Sequence, residues 1–179
     1  VSRIDRLMTD YSQILKDELA ISSEQMEDLD LKPIIESVVD DFNNIYIEKK
    51  NVKIKLNTSG SKNYLIKGIS NRVEQIIANL LDNSVSFSKA GSTVTVDLAK
   101  SENYTILKVS DEGEGFKESD IKKVFDRFYS NRPENFGEHS GLGLNIVKNL
   151  VQIHKGEIHA SNSPKGGAMI EIKFPKNYN

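Results

Sequence analysis

Four short segments of this chain carry side chains whose types and spacing could do chemistry. They are Asn79-Leu80-Leu81-Asp82-Asn83, Asp111-Glu112-Gly113-Glu114-Gly115, Phe125-Asp126-Arg127-Phe128-Tyr129 and Ser140-Gly141-Leu142-Gly143-Leu144. Asn79 and Asn83 are four residues apart, so on a helix both amides project to one side. An amide oxygen is a hard, neutral ligand suited to magnesium, which keeps several waters and would draw its other oxygens from phosphate groups. Asp111 precedes two glycines that let the backbone turn tightly and approach a ligand closely. Its carboxylate can accept a hydrogen bond from the exocyclic amine of adenine, a group guanine lacks at that position, and such a charge-assisted bond contributes about 1.5–3 kcal/mol. Phe125 and Phe128 are three apart and can share one pocket. Ser140, Gly141, Leu142, Gly143 and Leu144 open a helix, where free N–H groups and the helix dipole favour an anion such as a triphosphate. Each segment alone is weak; in this order they are the equipment for a magnesium–nucleotide.

These residues need a scaffold, and the hydrophobic periodicity supplies one. Residues 1–19 predict a helix with Ile4, Leu7, Tyr11 and Ile14 at a/d spacing. Such a stripe fits either an amphipathic helix packed on its own domain or the tail of a dimerising hairpin. The polar stretch to Met26 predicts a linker. Glu27–Leu31 predicts a strand, and Pro33 in a helix start opens a helix to about Lys50. Val52–Asn57 and Tyr64–Lys67 predict strands around a turn-rich loop. A helix follows over 70–87, with Ser70 expected as its cap. Thr93–Ala99 and Tyr104–Ser110 alternate as a strand pair. A short helix over 116–124, an aperiodic stretch over 130–140 and a helix over 141–154 come next. Glu157–Ser161 and Ala168–Phe174 close the sheet across Pro164-Lys165-Gly166-Gly167. The sum is a two-layer α/β sandwich, with a mixed sheet packed on about three helices.

Composition sets the outer bounds. The 179 residues suit one good-sized domain with a small appendage. With 37% hydrophobic and 28% charged residues and a net charge of −2, the chain is ordinary globular protein without the basic excess of a nucleic-acid binder. Cysteine is absent, so no disulfide framework or thiolate metal site is possible. No apolar run reaches the roughly 18 residues a membrane helix needs. The first residue is Val1 rather than Met, which predicts a piece of a longer protein.

The four segments together resemble the catalytic ATP-binding domain of sensor histidine kinases, within the ATPase group that also holds gyrase, the Hsp90 chaperones and MutL. The resemblance covers roughly residues 27–175. It implies the sandwich known as the Bergerat-type ATP-binding fold, with ATP and Mg²⁺ bound between the helices and a lid at residues 130–140. By the same resemblance Asn83 is the metal ligand and Asn79 supports metal and phosphate. In gyrase-type relatives the position matching Asn79 is a glutamate that activates water. An amide takes no proton at neutral pH, so this site is expected to hold ATP for transfer rather than for fast hydrolysis. Phe87 stands where an aromatic often stacks near adenine. Arg127 either reaches the phosphates or makes a surface salt bridge, and Tyr129 packs against the nucleotide or the lid. Many relatives carry a basic residue three after the second amide; here it is Ser86, so one phosphate contact is either missing or supplied by Lys89 or Arg127. Ser84–Ser88 and Arg132-Pro133-Glu134 look like the alphaproteobacterial envelope- and acid-stress sensor kinases.

The resemblance also implies the surroundings. Residues 1–20 would end the second helix of a dimerisation and histidine-phosphotransfer hairpin, 21–26 would be a linker and 27–179 the catalytic domain. The expected partners are ATP and ADP, the chain's own upstream histidine-bearing hairpin and a response-regulator receiver domain. The full-length protein is expected to be a homodimer, this piece a monomer, and the location cytoplasmic, beneath an inner membrane. Of the three histidines, none lies in the N-terminal helix, so the acceptor is expected upstream of Val1. His139 either touches phosphate or is a solvated loop residue, and His154, at a helix end that would favour a cation, reads as structural. Two rival functions are an anti-sigma-type serine kinase and a nucleotide-binding pseudokinase without turnover. The phenylalanine box and N-terminal heptads argue against the first, and the intact Asn79, Asn83 and Asp111 against the second.

Overall fold

The computed structural model describes residues 24–117, 121, 123–126 and 143–176. The expected N-terminal helix, the first half of the linker and the stretch over 127–142 lie outside the described residues; of the short helix expected over 116–124, residues 118–120 and 122 also lie outside them, and Phe116 and Lys117 belong to no helix. Within them the order is β1 (Glu27–Asp30), α1 (Leu31–Lys50), β2 (Lys53–Thr58), β3 (Leu65–Gly68), α2 (Ser70–Phe87), β4 (Thr93–Lys100), β5 (Tyr104–Ser110), α3 (Gly143–Ile153), β6 (Glu157–Asn162) and β7 (Ala168–Pro175).

Five strands form one mixed sheet in the order β2-β4-β5-β7-β6. β2 and β4 run parallel, with Lys53 opposite Thr93, and the other three pairs are antiparallel. Alternation along these strands decides their two faces. Val94, Val96, Leu98, Leu107, Val109, Ile170, Ile172 and Phe174 turn to the helices and are buried. The opposite face carries polar ladders: Lys108 and Lys173 both pair with Glu171, at 3.0 and 3.5 Å, and Asn57 donates to Asp97 at 2.9 Å. The short strands β1 and β3 do not join this sheet. They pair with each other, antiparallel, with Leu29 opposite Ile66. Period-2 patterning names a strand's buried face but not its partner.

The helices cover the apolar face. α1 is capped by Asp30, whose Oδ1 accepts from the N–H groups of Lys32 and Tyr64 at 3.2 and 3.0 Å. It ends at Asn51 in the left-handed region (φ 53°). α2 buries Val73, Ile76, Ile77, Leu80, Leu81 and Val85 along one stripe. Each such side chain is worth about 1.5–3 kcal/mol when fully buried, so this stripe holds α2 in place. Before β1, Glu24 pairs with the largely buried Arg72 of α2 at 3.1 Å.

The start of α2 corrects one expectation. The residue preceding the helix is Ile69, Ser70 is already helical, and no side chain of the cap position bonds the first turn. Instead the Ile69 N–H donates to Nε2 of His154 at 3.1 Å, while Nδ1 of the same ring lies 2.7 Å from the Leu150 carbonyl. An Nε2 that accepts a hydrogen bond carries no proton, so the ring is a neutral Nδ1–H imidazole that stitches the end of α3 to the start of α2. His154 is thus a structural residue and, although it stands at a helix end, it is not a cation there. Burial lowers the His154 pKa, outweighing the opposing bond to Leu150. The folded state then resists a proton that the unfolded chain accepts, so stability is present above the unperturbed value of 6.5 and is lost as pH falls through the lower folded pKa. His154→Phe removes the acceptor for Ile69 and is expected to cost about 1–3 kcal/mol at neutral pH. It should also shrink the stability difference between pH about 7.5 and about 5.5. Urea denaturation of both proteins at the two pH values checks this, and an unchanged difference would remove His154 as the source of acid sensitivity.

Candidate functional site

One edge of α2 carries the two amides, the turn after β5 meets the C-terminal end of that helix, and α3 packs beside it. Asn79 and Asn83 are both half-buried on α2. Nδ2 of Asn79 is buried without a hydrogen-bond partner. A buried donor without an acceptor costs about 1–3 kcal/mol, which an anionic oxygen placed there would relieve. Among the described residues no group of three His, Asp or Glu side chains forms a metal cluster. A magnesium ion would accordingly take its oxygens from the two amides, from phosphate and from water, and the donor set present fits that coordination.

Asp111 follows β5 and is 4% exposed. Its Oδ1 accepts from the N–H groups of Gly113 at 2.9 Å and Ala168 at 3.0 Å. Its own N–H donates to the Ala168 carbonyl at 3.0 Å. Both side-chain bonds converge on Oδ1, and among the described residues Oδ2 takes none. Burial raises the Asp111 pKa, outweighing the two N–H donors that pull it down. A desolvated carboxylate with one oxygen fixed and the other open is well placed to receive a donor from a ligand.

Glycines make the close approaches. A Cβ on Gly113 would stand 2.7 Å from the Phe87 carbonyl oxygen and 3.0 Å from Oδ1 of Asp111. This contact brings the Asp111 turn against the C-terminal end of the helix that carries Asn79 and Asn83. Phe87 is the last residue of that helix. Gly115 has φ +78°, which favours glycine. Gly143 begins α3 among the described residues, and a Cβ there would meet nothing within 4 Å. Leu144 is buried in the core, so only its backbone is available to a ligand. Phe125 packs against the core and gives its carbonyl to Nδ2 of Asn145 on α3 at 2.9 Å. Arg127, Phe128, Tyr129, Ser140, Gly141 and Leu142 lie outside the described residues.

The Ser86 question has a local answer. Ser86 is 2% exposed, and its hydroxyl donates back to the carbonyls of Asp82 at 2.7 Å and Asn83 at 2.9 Å. It is tied into the helix, while Lys89 is exposed beyond it. A cation does reach this end of α2, from a place the sequence did not suggest: the Lys50 ammonium donates to the carbonyls of Val85 and Ser86. That places a positive charge at the negative end of the helix dipole.

Four residues that shape the site were not singled out by sequence reasoning. Ala168 holds Asp111 through its backbone. Gly167, with φ +85°, lies so close that a Cβ would overlap the Asp111 carbonyl. Asn145 links α3 to Phe125. Asn162 contacts the chain just after the glycine turn. Gly166-Gly167 makes the turn between β6 and β7, and the lack of a side chain at Gly167 also permits its close approach to the Asp111 backbone.

Comparison with known proteins places this geometry. The family described as "Histidine kinase-, DNA gyrase B-, and HSP90-like ATPase" matches residues 68–178. The chain is 34% identical over 169 residues to the sensor protein ChvG of Agrobacterium fabrum, covering 90% of this chain and 28% of that protein. It is 32% identical over 182 residues to the sensor protein ChvG of Rhizobium meliloti, covering 97% of this chain and 32% of that one. The chain thus spans under a third of the length of either relative. Both are alphaproteobacterial sensor proteins, as the resemblance at Ser84–Ser88 led us to expect. Among solved structures, the catalytic domain of histidine kinase ThkA superposes with a TM-score of 0.76 at 20% identity, over 86% of this chain and 97% of that one. At that identity the likeness speaks for the fold.

Proposed function

Because this chain belongs to the histidine kinase-, DNA gyrase B- and HSP90-like ATPase family, we propose that it works as the catalytic ATP-binding domain of a two-component sensor histidine kinase. The observation that carries the reading is the contact between Gly113 and the Phe87 carbonyl, which sets the Asp111 carboxylate at the end of the Asn79–Asn83 helix. Adenine recognition at Asp111 and phosphate and metal binding at the two asparagines then fall within one nucleotide's reach.

Bound Mg–ATP supplies the γ-phosphoryl group, whose bond to the β–γ bridging oxygen breaks as a bond from phosphorus to a histidine nitrogen forms and ADP leaves. The chain's own residues position and stabilise charge rather than form covalent bonds. Asp111 accepts the adenine amine on Oδ2. Asn83 would hold the metal, and Asn79 would hold phosphate through its buried Nδ2. The N–H groups of Gly143 and Leu144 donate to phosphate oxygens. With no carboxylate at position 79, no side chain there removes a proton from water, which favours transfer over hydrolysis.

The acceptor we propose is a histidine on a helical hairpin rather than a histidine of this domain. His154 has both ring nitrogens committed to backbone groups and is fully buried. His159 lies on the outer face of the sheet, opposite Glu171. We further propose that residues 1–20 end such a hairpin and that the domain works on the cytoplasmic side, where ATP is available; among the described residues no helix is long and apolar enough to cross a membrane. The phosphoryl group would pass on to a response-regulator receiver domain. The test is incubation with γ-labelled ATP, first alone and then with a separately made histidine-bearing hairpin. Acid-labile label on the added hairpin only is expected. Stoichiometric label on this chain alone would overturn the acceptor assignment.

A further inference from the structure

The backbone that leaves the Asp111 turn is held by one side chain from a distant strand. Residues 114–117 belong to no helix or strand. Among the described residues their backbone makes two hydrogen bonds, both to the Asn162 amide. The Phe116 N–H donates to Oδ1 at 2.6 Å, and Nδ2 donates to the Phe116 carbonyl at 2.8 Å. The clamp is close-fitting: a Cβ on Gly115 would stand 2.7 Å from Oδ1 of Asn162. Asn162 ends β6, in register with Ala168 on β7. Ala168 is the residue whose N–H fixes Oδ1 of Asp111. One rung of the β6–β7 hairpin therefore holds the base-recognising carboxylate with one residue and the chain that leaves it with the other.

We propose that Asn162 is a positioning residue for the adenine subsite, setting the backbone of Gly113–Phe116 relative to Asp111 without touching the nucleotide. The assignment rests on the nucleotide-binding reading of the site. A planar amide suits the task because it offers one acceptor and one donor side by side, matching the N–H and C=O of a single residue. Alanine offers neither. Aspartate keeps the acceptor but sets a second carboxylate oxygen against the Phe116 carbonyl. Asn162 is exposed, so replacing it leaves the hydrophobic core intact.

Calorimetric titration of Asn162→Ala with ATP and with ADP is expected to give roughly tenfold weaker binding of both, equivalent to about 1.4 kcal/mol. The factor should be equal for the two nucleotides because the defect lies at the base, not at the phosphates. Hydrogen exchange should accelerate at the Phe116 amide, with the sheet amides and the melting temperature unmoved. Asn162→Asp should keep most of the Phe116 protection and bind ATP with intermediate affinity. Wild-type affinity in Asn162→Ala, or unaltered exchange at Phe116, would overturn the assignment while leaving the nucleotide site standing. A lowered melting temperature with exchange accelerated across the whole sheet would overturn it in favour of a general structural role. Failure of the wild-type chain to bind ATP would instead overturn the parent reading, and this assignment with it.

Discussion

Asn83→Ala is expected to abolish phosphoryl transfer to a supplied hairpin while leaving the fold untouched. The amide is half-buried at the edge of the stripe of α2, whose six apolar side chains anchor the helix without it. Alanine has the best helix propensity of any residue, so the melting temperature should hold or rise slightly. The carbonyl that accepts from the Ser86 hydroxyl belongs to the backbone and is kept. On the proposed function the substitution removes a metal ligand. Charge stabilisation by a bound metal is worth several kcal/mol at a transferring phosphoryl group, so transfer should fall on the order of 10²-fold or more. Label transfer measured beside a thermal melt separates the outcomes. Undiminished transfer in a normally folded variant would remove Asn83 from the metal site.

Asp111→Asn should weaken ATP binding while sparing or improving stability. The two effects diverge because Asp111 is strained by its surroundings. Burial raises its pKa despite the N–H donors from Ala168 and Gly113. A carboxyl whose folded pKa lies above its unfolded value favours folding fully below that unfolded value, here 3.8, and the benefit is lost as pH rises through the folded pKa. At neutral pH the ionised group therefore works against the fold, and a neutral amide removes that cost. Asparagine keeps an Oδ1 for Gly113 and Ala168 but places an N–H₂ where Oδ2 would meet the adenine amine. The loss is expected to be about 1.5–3 kcal/mol, roughly 12- to 150-fold in affinity. Isothermal titration with ATP and a melt at neutral pH test both halves. A variant that binds ATP as well as the wild type would dissociate Asp111 from base recognition.

Much of this architecture was legible in local pattern. The stripe from Val73 to Val85 gave α2, alternation gave β4, β5 and β7, and the glycines at 113 and 115 gave the Asp111 turn. Pattern of this kind reports which face a residue presents, not what it meets. The pairing of β1 with β3 and the parallel pairing of β2 with β4 therefore had no signal in the sequence. The same holds for the bonds that join distant segments. His154 reaches Ile69 across 85 residues, and Asn162 reaches Phe116 across 46. Neither contact leaves a periodicity. Ser70 was expected to cap α2 because serine there satisfies the usual local rule, but a buried imidazole from another helix took over the junction. Lys50 illustrates the same limit, since its role at the end of α2 depends on how α1 and α2 pack.

The central claim is that this fold holds a magnesium–adenine nucleotide between α2, the Asp111 turn and α3. Calorimetric titration of the wild-type chain with ATP and with GTP, each in the presence and absence of Mg²⁺, tests it most directly. The account predicts that ATP binds, that Mg²⁺ strengthens the binding, and that GTP binds at least about tenfold more weakly, because guanine has a carbonyl where adenine presents its amine to Asp111. Equal affinity for the two bases, or binding indifferent to Mg²⁺, would contradict it.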